Sequence, residues 1–378
     1  MEQQYIDIPP RRSSSGGRRQ TPPPAPKKQP KKSPKPPKRN PVLGVGKVLY
    51  GILVAVSALI VGGYLAFTFF VSEPEVAPVP EKTPEVVVPP ENQTQQEQPE
   101  QPEEVVPQVE PLVRREGVYN ILLAGTDFEG TRTDTMMVVS YDTKRHTVGV
   151  VSVPRDTLVE REAGANPRLV YGSGGVSKRA EEISDLLGIP VDYYVKVNLS
   201  GFIALVDYVG GVDFYVPCNM DYDDPFQNLT IHYNEGLQHL TGQQAMEVAR
   251  FRKNNDGTGY TDVGRTQTQQ KLLVALGKKV LSWNSLTKLN GFVEMFNKYV
   301  TTNLSLNDML YFASQAVYVD VSTGVKTATL KGNGEAKYGS FTFCYALDKE
   351  SAVETVNELL NPYTRDLTLE DMNILSGT

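Results

Sequence analysis

The feature that most constrains this chain is a run of 24 residues without a charge, at positions 48–71. As a helix rising about 1.5 Å per residue, the run reaches about 36 Å, enough to cross a hydrocarbon layer of about 30 Å. It is too long, and begins too far from Met1, for a cleaved signal peptide. The run therefore predicts a single-pass membrane anchor that divides the chain into two unequal parts.

The flanks of this run predict its orientation. Residues 1–47 contain twelve Lys and Arg residues against two acids, with many prolines and serines, so they cannot bury a core and should be disordered. Acidic residues such as Glu73 and Glu75 follow the run. Because positive flanks stay inside, we expect a cytoplasmic N-terminus and an extracellular main domain. The expected partner of the basic tail is anionic membrane lipid, and no nucleic acid is expected.

The rest of the chain changes composition twice. Residues 72–112 are rich in proline, glutamate and glutamine, which predicts an extended extracellular stalk. Residues 113–362 have the composition of one globular domain, and residues 363–378 form a C-terminal tail. The net charge of −6 is the sum over a basic tail, an acidic stalk and the globular domain, so it does not indicate which partners the protein binds.

The globular part alternates strand-like and helix-like patterns, which predicts a layered α/β domain with a central sheet. The expected strands are 119–124, 135–141, 148–153, 193–197, 212–215, 325–330 and 340–346. The expected helices are 177–187, 200–209, 242–250, 265–281, 306–318 and 349–360. The apolar face of the 200–209 helix suits core packing, or in a second interpretation a lipid-lined pocket.

Several enzyme classes find no support. No GxSxG, Walker A, HExxH or GxGxxG motif is present, and the three histidines are scattered, so a catalytic triad is not indicated. Cys218 and Cys344 lie far apart in sequence without metal-ligand spacing. They could form one disulfide outside the membrane or remain two buried thiols.

Arginine and aspartate concentrate where three β-like runs end or begin. The run ILLAGTD ends at Asp127, the motif RTDTMM begins the next run with Arg132 and Asp134, and VVSVPRD ends with Arg155 and Asp156. Strand ends in α/β sheets are where ligand contacts are placed. Guanidinium groups match phosphate oxygens and carboxylates match Mg²⁺, so this pattern suits a phosphate ester held with a divalent cation.

A second window supplies further arginines. Arg250 and Arg252 can face one site only if the preceding helix ends near Arg250, and the Gly-containing stretch 254–259 supplies that break. Arg265 and Gln269 lie four residues apart on the next helix and share a face. Any single arginine is most often a solvated surface residue, but five clustered near aspartates favour an anion site.

The order of these motifs closely resembles the LytR-CpsA-Psr family of cell-wall glycopolymer transferases. Besides the segments above, the resemblance rests on VDYYVKVNLSGF, GLQHLTGQQAMEVARFR and DVGRTQTQQ. It implies a three-layer α/β/α sandwich with a central mixed sheet, after one transmembrane helix. It also implies a Gram-positive-type bacterial cell membrane as the location, with polyprenyl-pyrophosphate-linked glycopolymer and peptidoglycan as partners.

The resemblance further implies residue roles in a phosphotransferase. Asp127 and Asp134 would bind Mg²⁺ (or Mn²⁺), and the catalytic residues would be Asp134, Arg132, Arg155 and Arg265. The residues expected to bind the substrate pyrophosphate are Arg132, Arg155, Arg168, Arg250, Arg252, Arg265 and Gln269. Arg168 stands where the family usually has a lysine, and Thr268 where an arginine is common.

Two other functions remain open from sequence. A hydrolase would use the same site with water as the acceptor. A membrane-tethered binder or regulator would need neither a metal nor the intact Asp and Arg set.

Overall fold

The computed structural model describes residues 53–59, 61–63, 71–76, 110–130, 132–171, 174–260, 262–282 and 289–378. The chain separates into two compact units, 1–63 and 64–378, and in the first unit 53–59 and 61–63 are helical. None of the described helices combines the length and apolar character needed to span a bilayer. The predicted basic tail, most of the predicted anchor and most of the predicted stalk lie outside the described residues.

A six-stranded mixed sheet is the framework of the second unit. The strands are β1 (Val118–Thr126), β2 (Thr133–Asp142), β3 (Thr147–Val153), β4 (Tyr193–Asn198), β5 (Val212–Val216), β6 (Met220–Asp224), β7 (Leu229–Tyr233), β8 (Gly236–Leu240), β9 (Val300–Thr302), β10 (Val325–Thr329), β11 (Gly332–Tyr338) and β12 (Phe341–Leu347). The sheet order is β10-β3-β2-β1-β4-β9. β1 pairs antiparallel with β2 but parallel with β4, and β3 pairs parallel with β10, so the sheet is mixed.

Helices cover both faces of this sheet. They are α1 (Gly175–Leu187), α2 (Leu199–Tyr208), α3 (Gly242–Arg250), α4 (Asp262–Leu281), α5 (Leu289–Tyr299), α6 (Leu306–Ala316) and α7 (Lys349–Leu359). α1 and α7 pack on one face in a cluster with Leu122, Val138 and Val151. α6 packs on the other face, where Tyr311 and Phe312 meet aromatic residues of the strands. The predicted three-layer arrangement with a mixed sheet is therefore observed.

β1 shows why the sheet sits between two cores. Leu122 and Ala124 belong to the cluster that contains α1 and α7, whereas Tyr119 and Ile121 belong to the aromatic cluster under α6. Alternate side chains of a strand point to opposite faces, so a continuous apolar run is needed when both faces are covered. The sequence of β1 meets that requirement.

A smaller lobe lies beside the sheet and has its own core. β5 pairs with β8, and β6 pairs with β7, both antiparallel. Val206 of α2, Val248 of α3 and Leu272 of α4 are buried with side chains from these hairpins. The lobe carries α3 and α4 towards the sheet, and these helices bear the second group of arginines.

The C-terminal part closes the cluster around α1 and α7. β11 and β12 form an antiparallel hairpin before α7. In the predicted C-terminal tail, Leu367, Met372 and Ile374 are buried in the main cluster. The tail is therefore part of the domain core.

Residues 71–76, which include the first part of the predicted stalk, also lie against the domain. Val71 and Val76 pack on the aromatic cluster under α6. The Glu73 carboxylate accepts a hydrogen bond from the Tyr119 hydroxyl at 3.3 Å and pairs with the Lys144 ammonium at 2.6 Å. The chain is thus attached to the end of the sheet where β1 begins.

The predicted elements agree with the structure, and the omissions are five strands and one helix. All six expected helices form, α3 begins with a capping box between Thr241 and Gln244, and it ends at Arg250 as the site requires. The sequence did not predict β6, β7, β8, β9, β11 or α5. Cys218 and Cys344 are free thiols, so the disulfide interpretation is not observed.

Candidate functional site

The candidate site lies at the end of the sheet where β1, β3 and β4 finish and β2 begins. The register of β1 and β2 shifts between Gly125 and Thr126, which opens the connection 127–132. The Asp127 amide donates to the Arg132 carbonyl at 3.1 Å, and the Arg132 amide donates to Oδ1 of Asp127 at 3.4 Å. Asp127 therefore organises the loop that presents Arg132.

Asp134 is held between two arginines. Nε and Nη2 of Arg132 donate to its two carboxylate oxygens at 2.9 and 3.1 Å, and Nη1 of Arg155 donates to Oδ1 at 2.6 Å. Nε of Arg155 also donates to Asp156 at 3.3 Å. The side chains of Asp134 and Arg155 are 32% and 30% exposed, so the cluster is open to a ligand while its geometry is fixed.

Neighbouring carboxylates raise the pKa of two of the arginines in this cluster. The hydrogen bond and the charge of Asp134 raise the pKa of Arg132. Burial lowers the pKa of Arg155, but the hydrogen bond to Asp134 and the charge of Asp156 outweigh it, so the pKa is raised. Burial lowers the pKa of Arg250, opposed by the charge of Asp134. Arg250 therefore lies within the electrostatic reach of the cluster.

Arg155 is placed by a turn at the end of β3. The hydroxyl of Thr157 donates to the Pro154 carbonyl at 2.6 Å, and the Thr157 amide donates to the same carbonyl at 3.0 Å. The Val170 amide donates to the Arg155 carbonyl at 2.8 Å. Proline and this double capping fix the backbone, so Arg155 points back along the sheet edge to Asp134.

The second group of predicted residues is joined to the first through Gln269. Its amide nitrogen donates to the Ala249 carbonyl at 3.0 Å, and its oxygen accepts from the Thr135 hydroxyl at 3.3 Å. Gln269 thus connects α4, the end of α3 and the start of β2. Arg250 donates through Nη2 to the Gln227 side chain at 2.6 Å. Thr135 and Gln227 are members of the site that the sequence did not single out; Thr135 lies in the RTDTMM motif, whereas nothing marks Gln227.

The other predicted arginines lie at different positions around this cluster. Arg265 is half-buried on α4, one turn before Gln269, and Arg252 is exposed just after α3. Arg168 belongs to another group: it donates to the Asn166 side chain at 3.2 Å and the Thr342 carbonyl at 3.4 Å. The roles assigned to these residues stay predictions.

Asp127 and Asp134 supply carboxylate oxygens, the type of ligand that a hard divalent cation takes. Oδ2 of Asp134 accepts a hydrogen bond from Arg132, and Oδ1 accepts one from Arg132 and one from Arg155. Mg²⁺ commonly takes one or two carboxylates and completes its shell with water and substrate phosphate. Among the described residues, the one group of three or more potential ligands within 4.8 Å of one another is Asp221, Asp223 and His232, exposed on the β6–β7 hairpin.

The molecule is a three-layer α/β domain with arginines gathered around a carboxylate at one sheet edge, an arrangement that suits an anionic ligand. The chain belongs to the LytR_cpsA_psr family, whose family model matches residues 87–361. This agrees with the resemblance that its motifs indicate.

Individual relatives give the same result. TagU of Bacillus anthracis, a polyisoprenyl-teichoic acid–peptidoglycan teichoic acid transferase, is 33% identical over 235 residues, which are 61% of this chain and 74% of TagU. The crystal structure of B. subtilis TagV matches with a TM-score of 0.54 at 26% identity, over 64% of this chain and 95% of that one. TagT bound to LIIa-WTA matches in fold, with a TM-score of 0.52 at 23% identity over 66% and 91% of the two chains.

Proposed function

We propose that this chain is a membrane-anchored phosphotransferase that moves a glycopolymer from a polyprenyl diphosphate carrier to peptidoglycan. TagU, a relative with 33% identity, is named for that kind of reaction with teichoic acid. The observation that carries the proposal is the Arg132–Asp134–Arg155 cluster at the sheet edge, with Arg250 beside it. The predicted anchor would leave the N-terminus in the cytoplasm and the domain outside the cell.

The arginines suit a diphosphate because of their shape as well as their charge. A guanidinium group can donate two parallel hydrogen bonds to phosphate oxygens. Arg132 already donates two such bonds to the Asp134 carboxylate, and Arg155 donates one to Asp134 and one to Asp156, so oxyanions orient both guanidinium groups. In the proposal Arg132, Arg155, Arg250, Arg252 and Arg265 grip the diphosphate, and Gln269 holds the two halves of the site together.

The proposed step is an in-line displacement at phosphorus. A hydroxyl oxygen of the acceptor sugar attacks the phosphorus next to the donor sugar, and the bond from that phosphorus to the bridging oxygen breaks. The hydroxyl proton leaves to solvent or a nearby base, and polyprenyl phosphate departs. Negative charge on the phosphoryl oxygens in the transition state is stabilised by the guanidinium groups.

Asp134 acts in this proposal by position and charge. Both of its oxygens accept hydrogen bonds from guanidinium groups, which fixes Arg132 and Arg155 relative to each other. Asp127 and Asp134 would hold Mg²⁺ (or Mn²⁺), which supplies Lewis-acid stabilisation of phosphate charge when bound.

A lipid chain also fits the exposure of α2. Although α2 is strongly apolar, only Gly201 and Val206 of this helix are fully buried; Phe202, Ile203 and Leu205 are partly buried, and Phe202 and Leu205 also pack against the core of the smaller lobe. An apolar surface of this kind gains stability when hydrocarbon covers it. We therefore favour the lipid-lined interpretation of this helix for the prenyl chain.

The test uses the full chain in detergent with Mg²⁺, isolated peptidoglycan and a radiolabelled N-acetylhexosamine on a polyprenyl diphosphate. The expected result is covalent label on peptidoglycan, reduced at least about 100-fold by Asp134→Ala and abolished by a chelator. Release of phosphosugar without wall label would make the protein a hydrolase. Donor binding without turnover in either protein would make it a binder.

A further inference from the structure

An exposed phenylalanine with an unusual backbone lies at the β11–β12 hairpin. Phe343 is 71% exposed and has φ 57°, a left-handed conformation that bulky residues rarely adopt. Its neighbour Cys344 is fully buried, so the backbone is anchored while the ring points away from the core. Strained backbone of this kind is concentrated where a protein contacts a ligand.

Two further side chains continue this surface. The Arg168 guanidinium carbon lies 4.6 Å from the centre of the Tyr171 ring, and its Nη1 donates to the carbonyl of Thr342, the residue before Phe343. Tyr171 is 54% exposed. Arg168 therefore joins Tyr171 to the base of Phe343, and we call these three residues the aromatic platform.

The aromatic platform is attached to the candidate site by backbone contacts. The amide of Val170, next to Tyr171, donates to the carbonyl of Arg155 at 2.8 Å. The Tyr345 amide, two residues after Phe343, donates to the Asp156 carbonyl at 2.7 Å. The platform thus adjoins the β3 side of the cluster, whereas Gln269 connects the same cluster to α3 and α4.

This arrangement separates two binding regions. Most of the site arginines lie towards α3 and α4, where a polyanionic diphosphate is best held. The platform offers two aromatic rings and one guanidinium, which suit a ligand with apolar faces and polar edges. Sugar rings have that character, because their C–H groups pack on aromatic faces while their hydroxyls accept and donate hydrogen bonds. In-line transfer requires the nucleophile and the leaving group on opposite sides of the phosphorus.

We propose that Tyr171, Arg168 and Phe343 bind the glycan strand of the acceptor and present its hydroxyl to the cluster at Asp134. This inference rests on the proposed transferase function and assigns the acceptor, as an uncharged stretch of N-acetylhexosamine polymer, to the β3 side of the site. Arg168, which the sequence placed with the diphosphate ligands, then contacts the acceptor.

The test compares full-length variants for transfer of labelled sugar to isolated, uncross-linked peptidoglycan strands. Tyr171→Ala and Phe343→Gly are expected to raise the acceptor KM about 10-fold and leave the donor KM unchanged. Phe343→Gly removes the ring but relieves the left-handed backbone, so its melting temperature should not fall. Phe343→Tyr should behave as the parent chain. Tyr215→Ala, at an aromatic residue of similar exposure on β5, is the matched control.

Co-sedimentation of each variant with insoluble peptidoglycan separates this inference from the proposed function. An unchanged acceptor KM and unchanged sedimentation in Tyr171→Ala and Phe343→Gly would overturn the inference while the transferase stands. If the parent chain binds peptidoglycan but transfers nothing, and the two variants lose binding, the platform is supported and the transferase is not. A raised donor KM in both variants would assign the platform to the donor and overturn the inference.

Discussion

Replacing Arg155 by lysine keeps the positive charge at the end of β3 but removes the planar group that reaches two carboxylates. Arg155 uses Nη1 for Asp134 at 2.6 Å and Nε for Asp156 at 3.3 Å. A lysine ammonium can pair with Asp134 but cannot keep both bonds in this geometry. The variant therefore tests whether transfer requires the planar guanidinium group of Arg155 as well as its positive charge.

For Arg155→Lys, the structure predicts a small fall in the free energy of unfolding and a large fall in the transfer rate. The three side chains are about one-third exposed, so each ion pair contributes about 0–1 kcal/mol, and the unfolding free energy should fall by less than about 1 kcal/mol. In a domain of about 250 residues this lowers the melting temperature by about 2–4 °C at most. Losing the placement of this guanidinium group against the phosphoryl oxygens in the transition state should slow transfer about 100-fold, or about 2.7 kcal/mol.

The assay measures the transfer rate at saturating donor together with thermal unfolding of the same preparation. Arg145→Lys is the matched control, because Arg145 also pairs with an aspartate, Asp142 at 3.5 Å, but lies in the β2–β3 turn at the opposite end of the sheet. A transfer rate for Arg155→Lys within about twofold of the control would refute the reasoning, as would a rate that falls only in proportion to the unfolded fraction.

Two further predictions concern stability. Gln270 is buried on α4 and donates to the Ser152 hydroxyl at 2.9 Å and to the Ala328 carbonyl at 2.6 Å. Because Gln270→Leu leaves these buried acceptors without a partner, the free energy of unfolding, measured with denaturant, should fall by about 2–3 kcal/mol. A fall below about 0.5 kcal/mol would contradict this. Burial raises the pKa of Asp371, but hydrogen bonds from Arg365 and Thr368 outweigh it and lower the pKa to about 2. Because the pKa of Asp371 is lower in the folded state than in the unfolded state, the carboxylate stabilises the fold at pH values above its unfolded-state pKa. This stability should be lost as the pH falls from about 4 to about 2. The loss should be absent when Asp371→Asn is titrated with acid.

The main sheet could be predicted because its strands are locally distinctive. β1 is apolar on both faces, β2 pairs with β1, and β3 pairs with β2, so strands that follow one another in sequence are also neighbours in the sheet. In the smaller lobe only β5 was predicted, and β6, β7 and β8 were missed. The sequence of β6 is MDYDD. Its four residues after Met220 are three aspartates and a tyrosine, and Met220 is the one buried residue of this strand. Such a strand is stabilised by its partner and not by its own pattern.

The residues of the candidate site also divide into those that the sequence pattern could place and those that it could not. Arg132 and Arg155 were placed correctly at one sheet edge because each follows or precedes a clear strand. Arg168 was grouped with them on resemblance, but its position depends on a bridge between Leu158 and Arg168 and on a contact with Thr342, 174 positions away. Pairings over that separation leave no periodic pattern in the chain. Gln227 was missed for the same reason, since only the packing of the smaller lobe brings it to Arg250.

The contact between residues 71–76 and the domain changes the expected mechanical role of the Pro/Glu-rich stretch. The chain rests on the domain up to Val76, and Arg365 holds it again at Glu110 through a 2.7 Å hydrogen bond to the Glu110 carbonyl. The described segments on either side of residues 77–109 therefore both contact the same domain, and a force on either segment acts first on those contacts.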